Sequence, residues 1–265
     1  MRKGKKMARE FEGKVAIVTG SSGIGLGGAL KLAREGAKVF VCGIDKVHNA
    51  TATKAGAGLD FTVREIDVSD EQQVATFVAD VGQETSGIDI LVNAAAIQTY
   101  GTIETTDIAH WDRVMSTNLR SCYLMSHFSY PLMKGRGGGS IIHVSSVQGH
   151  ANQNAVLAYA TAKGAIHALT RAMAVDCAKD GIRVNSISPG SIRTPLLEFA
   201  AQQVVGEGNP IEETIAEFGA AHPIGRVGTI EETSELIAFL AGSRSSFCTG
   251  ADYLIDGALM AHIGV

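Results

Sequence analysis

Cysteine, tryptophan and proline are all scarce in this chain of 265 residues, at four, one and five copies, and the shortages exclude several protein classes. Cys42, Cys122, Cys177 and Cys248 are too scattered for a Cys-x-x-Cys zinc site or a disulfide framework, so they read as buried thiols in a reducing compartment. Cytoplasm is the expected location. No apolar run has the length of a membrane span, and no apolar stretch follows the basic opening Met1-Arg2-Lys3-Gly4-Lys5-Lys6, so neither a membrane nor a secretory route is expected. An excess of positive charge is lacking too: 23 basic against 27 acidic residues give a formal charge of -4 without a basic stripe. Nucleic acid is therefore not an expected partner, whereas a small molecule is. No set of His, Cys, Asp and Glu has metal-ligand spacing, so no metal is expected; His143 reads as a core residue and His150 as a loop histidine.

What the chain does have is glycine, 31 copies, together with short β-branched runs that alternate with helical patterns from end to end. The runs predict strands over Lys14–Thr19, Lys38–Cys42, Phe61–Ile66, Ile88–Asn93, Ser140–Ser145, Arg183–Ile187 and Tyr253–Ile255. Strand and helix in alternation predict an α/β protein, a doubly wound parallel sheet with helices on both faces and ligands at the carboxyl ends of the strands. We expect one domain over residues 13–265, preceded by a flexible extension over 1–12.

Two local patterns carry chemistry. The run Val15-Ala16-Ile17-Val18-Thr19-Gly20-Ser21-Ser22-Gly23-Ile24-Gly25 predicts a strand, a glycine turn and a helix start, where bare backbone N–H groups can receive a pyrophosphate. Tyr159 and Lys163 lie four residues apart on one predicted helix face, with Ser146 thirteen residues before the tyrosine. An ammonium beside a phenol favours phenolate, which would lower the tyrosine pKa and make it an acid/base near neutrality. From Ala151 to Thr170 the only permanent charge is Lys163, and alanines recur at 155, 158, 162, 165, 168 and 172. A helix so apolar predicts packing against the sheet and against a second subunit, hence a homo-oligomer, most simply a tetramer or a dimer.

With these motifs the chain resembles the short-chain dehydrogenase/reductase family, in its short single-domain branch, from about Gly13 to Gly257. The matching residues are Thr19-Gly20 with Gly23 and Gly25, Asp67-Val68, Asn93-Ala94-Ala95, Asn118, Ser146, Tyr159 with Lys163, and Pro189-Gly190 followed by Thr194. The resemblance implies a Rossmann-type fold, an NAD or NADP cofactor and hydride exchange with an alcohol or carbonyl substrate. It casts Tyr159 as acid/base, Ser146 as the donor that fixes the reacting oxygen, Lys163 as the cation that acidifies Tyr159 and holds the nicotinamide ribose, and Asn118 as support for a proton relay. It also implies a cofactor contacted by Gly20, Ser22, Gly23, Ile24 and Gly25, by Ile44 and Asp45, by Asp67 and Val68, by Asn93, Ala94 and Ala95, and by Pro189, Gly190, Ile192 and Thr194. Substrate selection would fall to a loop at about 195–223 and to the polar stretch Gln148, His150, Asn152, Gln153 and Asn154, which suits a sugar or polyol.

The chain departs from the family pattern in two places. Only Ser21 and Ser22 separate Gly20 from Gly23, one residue fewer than usual, with Gly27 and Gly28 as possible compensation. Gly43 falls where an acid would bind the ribose diol of NAD, and Ile44 where an arginine would bind the phosphate of NADP. Asp45 favours NAD, Lys46 keeps NADP open, and Asp45 could equally cap a helix. The rival functional reading is a dinucleotide-binding sensor or scaffold with weak or no turnover.

Overall fold

The computed structural model describes residues 9–263. Seven strands form, β1 (Val15–Thr19), β2 (Lys38–Gly43), β3 (Phe61–Glu65), β4 (Ile90–Asn93), β5 (Gly139–Val144), β6 (Ile182–Pro189) and β7 (Asp252–Ile255). Each overlaps an expected strand; the central ones, such as β1 and β4, are wholly buried and correspondingly apolar. All pairings are parallel, in the order β3-β2-β1-β4-β5-β6-β7. The order reverses between β1 and β4, so their carboxyl ends diverge into a crevice.

The helices are α1 (Gly23–Arg34), α2 (Lys46–Ala55), α3 (Glu71–Thr85), α4 (Ile108–Val114), α5 (Ser121–Gly135), α6 (Leu157–Cys177), α7 (Pro195–Val205), α8 (Glu212–Ala220) and α9 (Ile230–Ala241), with a π-helical turn, Met115–Arg120, between α4 and α5. They cover both faces, giving one core around Ile17, Phe40, Leu91, Met125 and Ile141 and another around Val18, Val41, Val92, Leu32 and Ile237. Gly27 and Gly28 do not loosen the start of α1: a Cβ at Gly27 would overlap Ile230, and one at Gly28 would stand 3.0 Å from Ile237. They are glycine because α9 packs directly on them.

Two expected boundaries shift. Of the expected flexible extension 1–12, residues 1–8 lie outside the described residues, but Phe11 is buried in the core and its N–H donates to the Glu35 carbonyl at 3.0 Å. The folded unit therefore begins before Gly13. The expected loop at 195–223 contains α7 and α8. Thr194 caps α7 by accepting from the Leu197 N–H at 3.2 Å with Pro195 at the first helical position, and Glu212 and Glu213 occupy the first turn of α8.

Candidate active site

The carboxyl ends of the central strands open into a cavity of about 790 Å³. Its floor is the turn from β1 to α1. Gly20 and Gly23 have φ of +93° and +53°, left-handed values that glycine adopts without strain. At Gly25 a Cβ would overlap the Gly20 carbonyl oxygen and lie 2.8 Å from that of Thr19, so the helix start lies directly on the strand end. No acidic side chain occupies the first turn of α1, and Ser22 makes no side-chain cap. The backbone N–H groups at Ser22, Gly23, Ile24 and Gly25 thus face the cavity as an anion cradle. Thr19 closes the crevice between β1 and β4, its hydroxyl oxygen accepting from the N–H groups of Ala94 and Ala95 at 2.9 and 3.0 Å.

The opposite wall holds Ser146, Tyr159 and Lys163, each buried within its strand end or helix yet lining the same cavity. The Ser145 hydroxyl donates to the Lys163 carbonyl at 2.9 Å, which pins α6 against the end of β5. Ser146 accepts from the Gln148 N–H at 3.1 Å, setting its hydroxyl at the cavity edge beside Tyr159. The Lys163 ammonium donates to the Val144 carbonyl at 2.7 Å and lies 5.4 Å from the centre of the Tyr159 ring.

Burial shifts Tyr159 in the direction opposite to the sequence expectation: it pushes the phenol up to about 12, and the neighbouring Ser146 hydroxyl offsets only part of that rise. The Lys163 ammonium, which donates to the Val144 carbonyl, is itself pushed down to about 8 by burial. The phenol is held in its proton-donating form across the neutral range.

Asn118 sits on the π-helical turn, buried, with its Oδ1 accepting from the Ile97 N–H at 2.9 Å and its Nδ2 donating to the Ile97 carbonyl at 2.8 Å. It ties the segment after β4 in place and does not line the cavity. Ala94, Ala95, Pro189, Gly190, Ile192 and Thr194 do line it. Ile44, Asp45, Asp67, Val68 and Asn93 do not. The Asp45 carboxylate caps α2, accepting from the His48 N–H at 2.8 Å, and Asp67 accepts from the N–H and hydroxyl of Ser69 at 2.9 and 2.7 Å. Asn93 points into the sheet, its Nδ2 3.1 Å from His143 Nδ1. Ile44 is largely exposed beside the end of β2, and Val68 is buried in the core.

Sequence reasoning missed His222. Its Nδ1 donates to the Phe218 carbonyl at 2.8 Å and its Nε2 accepts from the Ser191 N–H at 3.1 Å, so it holds the turn after Pro189-Gly190 against α8. It also missed Gln98, Tyr100 and Met260, which line the cavity from distant segments that nothing in their local sequence marks.

Comparison with known proteins matches this geometry. A sequence profile described as "Enoyl-(Acyl carrier protein) reductase" covers residues 18–259. The chain belongs to the short-chain dehydrogenase/reductase family. Similar proteins include "Uncharacterized oxidoreductase YxbG" of Bacillus subtilis (strain 168), 38% identical over 263 residues, 95% of this chain and 93% of the relative. Another is the cis-4-hydroxycyclohexanecarboxylate dehydrogenase of Sinomonas cyclohexanicum, 36% identical over 261 residues, 96% of this chain and 100% of the relative. Among solved structures, ligand-free aldohexose dehydrogenase (AldT) of Thermoplasma acidophilum matches with a TM-score of 0.90 at 35% identity, covering 97% of this chain and 98% of that one.

As a member of this family the protein is a nicotinamide-dependent oxidoreductase acting on alcohol or carbonyl groups. The residues present fit the group: bare N–H groups at the start of α1 for a pyrophosphate, and a hydroxyl, a phenol and an ammonium lining the same cavity. When bound, a nicotinamide supplies the hydride acceptor or donor. Proton handling falls to the chain's own residues.

Proposed function

We propose that the protein interconverts a neutral, polyhydroxylated or ring-borne secondary alcohol and its ketone, with NAD as cofactor and Tyr159 as the acid/base. In the reducing direction Tyr159 donates its phenolic proton to the substrate oxygen as the carbon gains hydride. In the oxidising direction the phenolate takes the hydroxyl proton as hydride leaves. Ser146 holds that oxygen by a hydrogen bond that strengthens as negative charge develops on it. Lys163 stabilises the phenolate, and Asn118 acts on the relay through the backbone it fixes.

The observation that carries this reading is the convergence of Ser146, Tyr159 and Lys163 on one wall of the cavity whose floor is the glycine cradle. Substrate class follows from the remaining lining. Lys163 is the only permanently charged side chain there among the described residues, so the cavity offers no second ion pair for a carboxylate or a phosphate. Gln98, Gln148, Asn152, Gln153 and Asn154 contribute amides to the lining, and Leu196, Leu197, Phe218 and Met260 contribute apolar surface. Amides together with apolar groups suit a hydroxylated carbon skeleton, in keeping with the similar solved structure named for an aldohexose. NAD is favoured over NADP because the turn offers serines and no cation, and apolar Ile44 stands where a phosphate would need a guanidinium. The outer faces of α5 and α6 expose Tyr123 and Val175, which supports a second copy packing there.

A screen of NAD(H) and NADP(H) against neutral cyclic alcohols, polyols and sugars, acidic alcohols and acyl thioesters, followed by absorbance of the reduced nicotinamide, tests the proposal. Turnover is expected with the neutral alcohols and NAD; turnover confined to thioesters would overturn the substrate reading. Tyr159→Phe should retain dinucleotide binding and lose roughly 10²-fold or more in kcat.

A further inference from the structure

Outside the reaction cavity, three residues distant in sequence meet at one point. His150 follows the single helical turn after Ser146, His167 lies on α6 one turn beyond Lys163, and Asp252 opens β7 at the sheet edge. His150 Nε2 is 2.8 Å from Asp252 Oδ2, and His167 Nε2 is 3.5 Å from Asp252 Oδ1. The two imidazoles stack with ring centres 4.2 Å apart. We propose that His150, His167 and Asp252 form a site for a divalent transition metal of the zinc class, which fastens the wall of the reaction cavity to α6 and the sheet edge.

One ligand atom from each residue lies within 4.8 Å of the other two. Zinc bonds of about 2.0–2.2 Å in a tetrahedral sphere place ligand atoms roughly 3–3.6 Å apart, so small side-chain adjustments complete three ligands and leave one position for water. The carboxylate already has an outer layer of support: Ser186 and Ser188 hydroxyls donate to Asp252 Oδ1 at 2.5 and 3.0 Å. His150 is about one-third exposed and gives a metal its entry path. The backbone behind the site is fixed: a Cβ at Gly149 would lie 2.6 Å from His167 Cε1 and 2.9 Å from the Lys163 carbonyl carbon. A metal here would hold Gln148 and Ala151, both in the cavity wall, against the helix that carries Tyr159.

Chelator-treated full-length protein is titrated with Zn2+ by calorimetry and with Co2+ by visible absorption, and its thermal unfolding is followed with and without Zn2+. The expected result is one Zn2+ per chain, the intensified visible bands of four-coordinate Co2+ and a higher Tm. His150→Ala, a surface change, should weaken Zn2+ binding at least about tenfold and abolish the Tm rise. Asp252→Asn should do the same, while His110→Ala, at a separate surface histidine, should change neither. Absence of saturable binding, or binding that His150→Ala leaves intact, would reduce the cluster to an ion pair and overturn the proposal.

Discussion

His143 should make the stability of this protein fall on mild acidification, by an amount the structure fixes. The imidazole is fully buried in β5, and burial with the nearby Lys163 charge pushes it down to about 4 from the ordinary 6.5. Its Nδ1 faces the Asn93 amide at 3.1 Å while its Nε2 finds no partner among the described residues, so the neutral ring is already imperfectly satisfied and a second proton gains no bond. Because the folded pKa is depressed, the unfolded chain binds a proton between pH 6.5 and 4 that the folded chain refuses, and stability is lost as pH falls through that window. The full difference is about 3 kcal/mol, of which about 2 kcal/mol is spent between pH 7 and pH 5. His143→Leu removes the titration and leaves the Asn93 Nδ2 only its long 3.4 Å bond to the Ser126 hydroxyl, which costs about 1–3 kcal/mol at every pH. Urea unfolding at pH 7 and pH 5, at one protein concentration, should show the variant weaker at pH 7 and less pH-sensitive by about 2 kcal/mol. Equal losses in the two proteins would refute the assignment.

Three further outcomes follow from the site. Since Tyr159 is pushed up to about 12, its base form grows with pH, so alcohol oxidation should accelerate from pH 7 towards pH 10 while carbonyl reduction should not; initial rates in both directions check this. Lys163→Met removes a buried ammonium pushed down to about 8, so it should leave Tm unchanged or higher while lowering turnover roughly 10²-fold, a split that thermal unfolding and kinetics measure together. Gly43→Asp should cost about 1–3 kcal/mol through collision with Ser21, and a serine inserted after Ser21 in the same chain should recover the loss, as read by Tm and by NADH titration.

The fold was legible because its signals are local and redundant. β1 and β4 are buried on both faces and read as nearly continuous apolar runs, and the turn at Gly20–Gly25 needs glycine at positive φ and at close approach. The wall formed by Ser146, Tyr159 and Lys163 was legible for a similar reason, since a strand end and one helical turn fix all three. What escaped was anything set by contacts between distant segments. Phe11 looked like part of a tail because nothing near it reveals the pocket beside Glu35. Burial sets the sign of the Tyr159 shift, and a spacing of four does not reveal burial. The meeting of His150, His167 and Asp252 escaped for the same reason, since distant segments bring them together and no short spacing marks it.

The two departures from the family pattern reduce to one packing fact. With one residue fewer between Gly20 and Gly23, Ser21 is buried instead of lying open in the turn, and its hydroxyl covers the end of β2. A Cβ at Gly43 would overlap that hydroxyl and stand 3.0 Å from Asn49 Oδ1, while the Asn49 Nδ2 donates to the Gly43 carbonyl at 2.8 Å. An acidic side chain at the end of β2 would have to displace the Ser21 hydroxyl, which fills the space that a Cβ at residue 43 would take. Asp45, two positions on, is committed to the α2 cap, where the His48 N–H holds its carboxyl below the ordinary range. On the proposed reading, the adenosine end of a bound dinucleotide would meet backbone and the turn itself, and its pyrophosphate would meet the N–H groups at Ser22–Gly25.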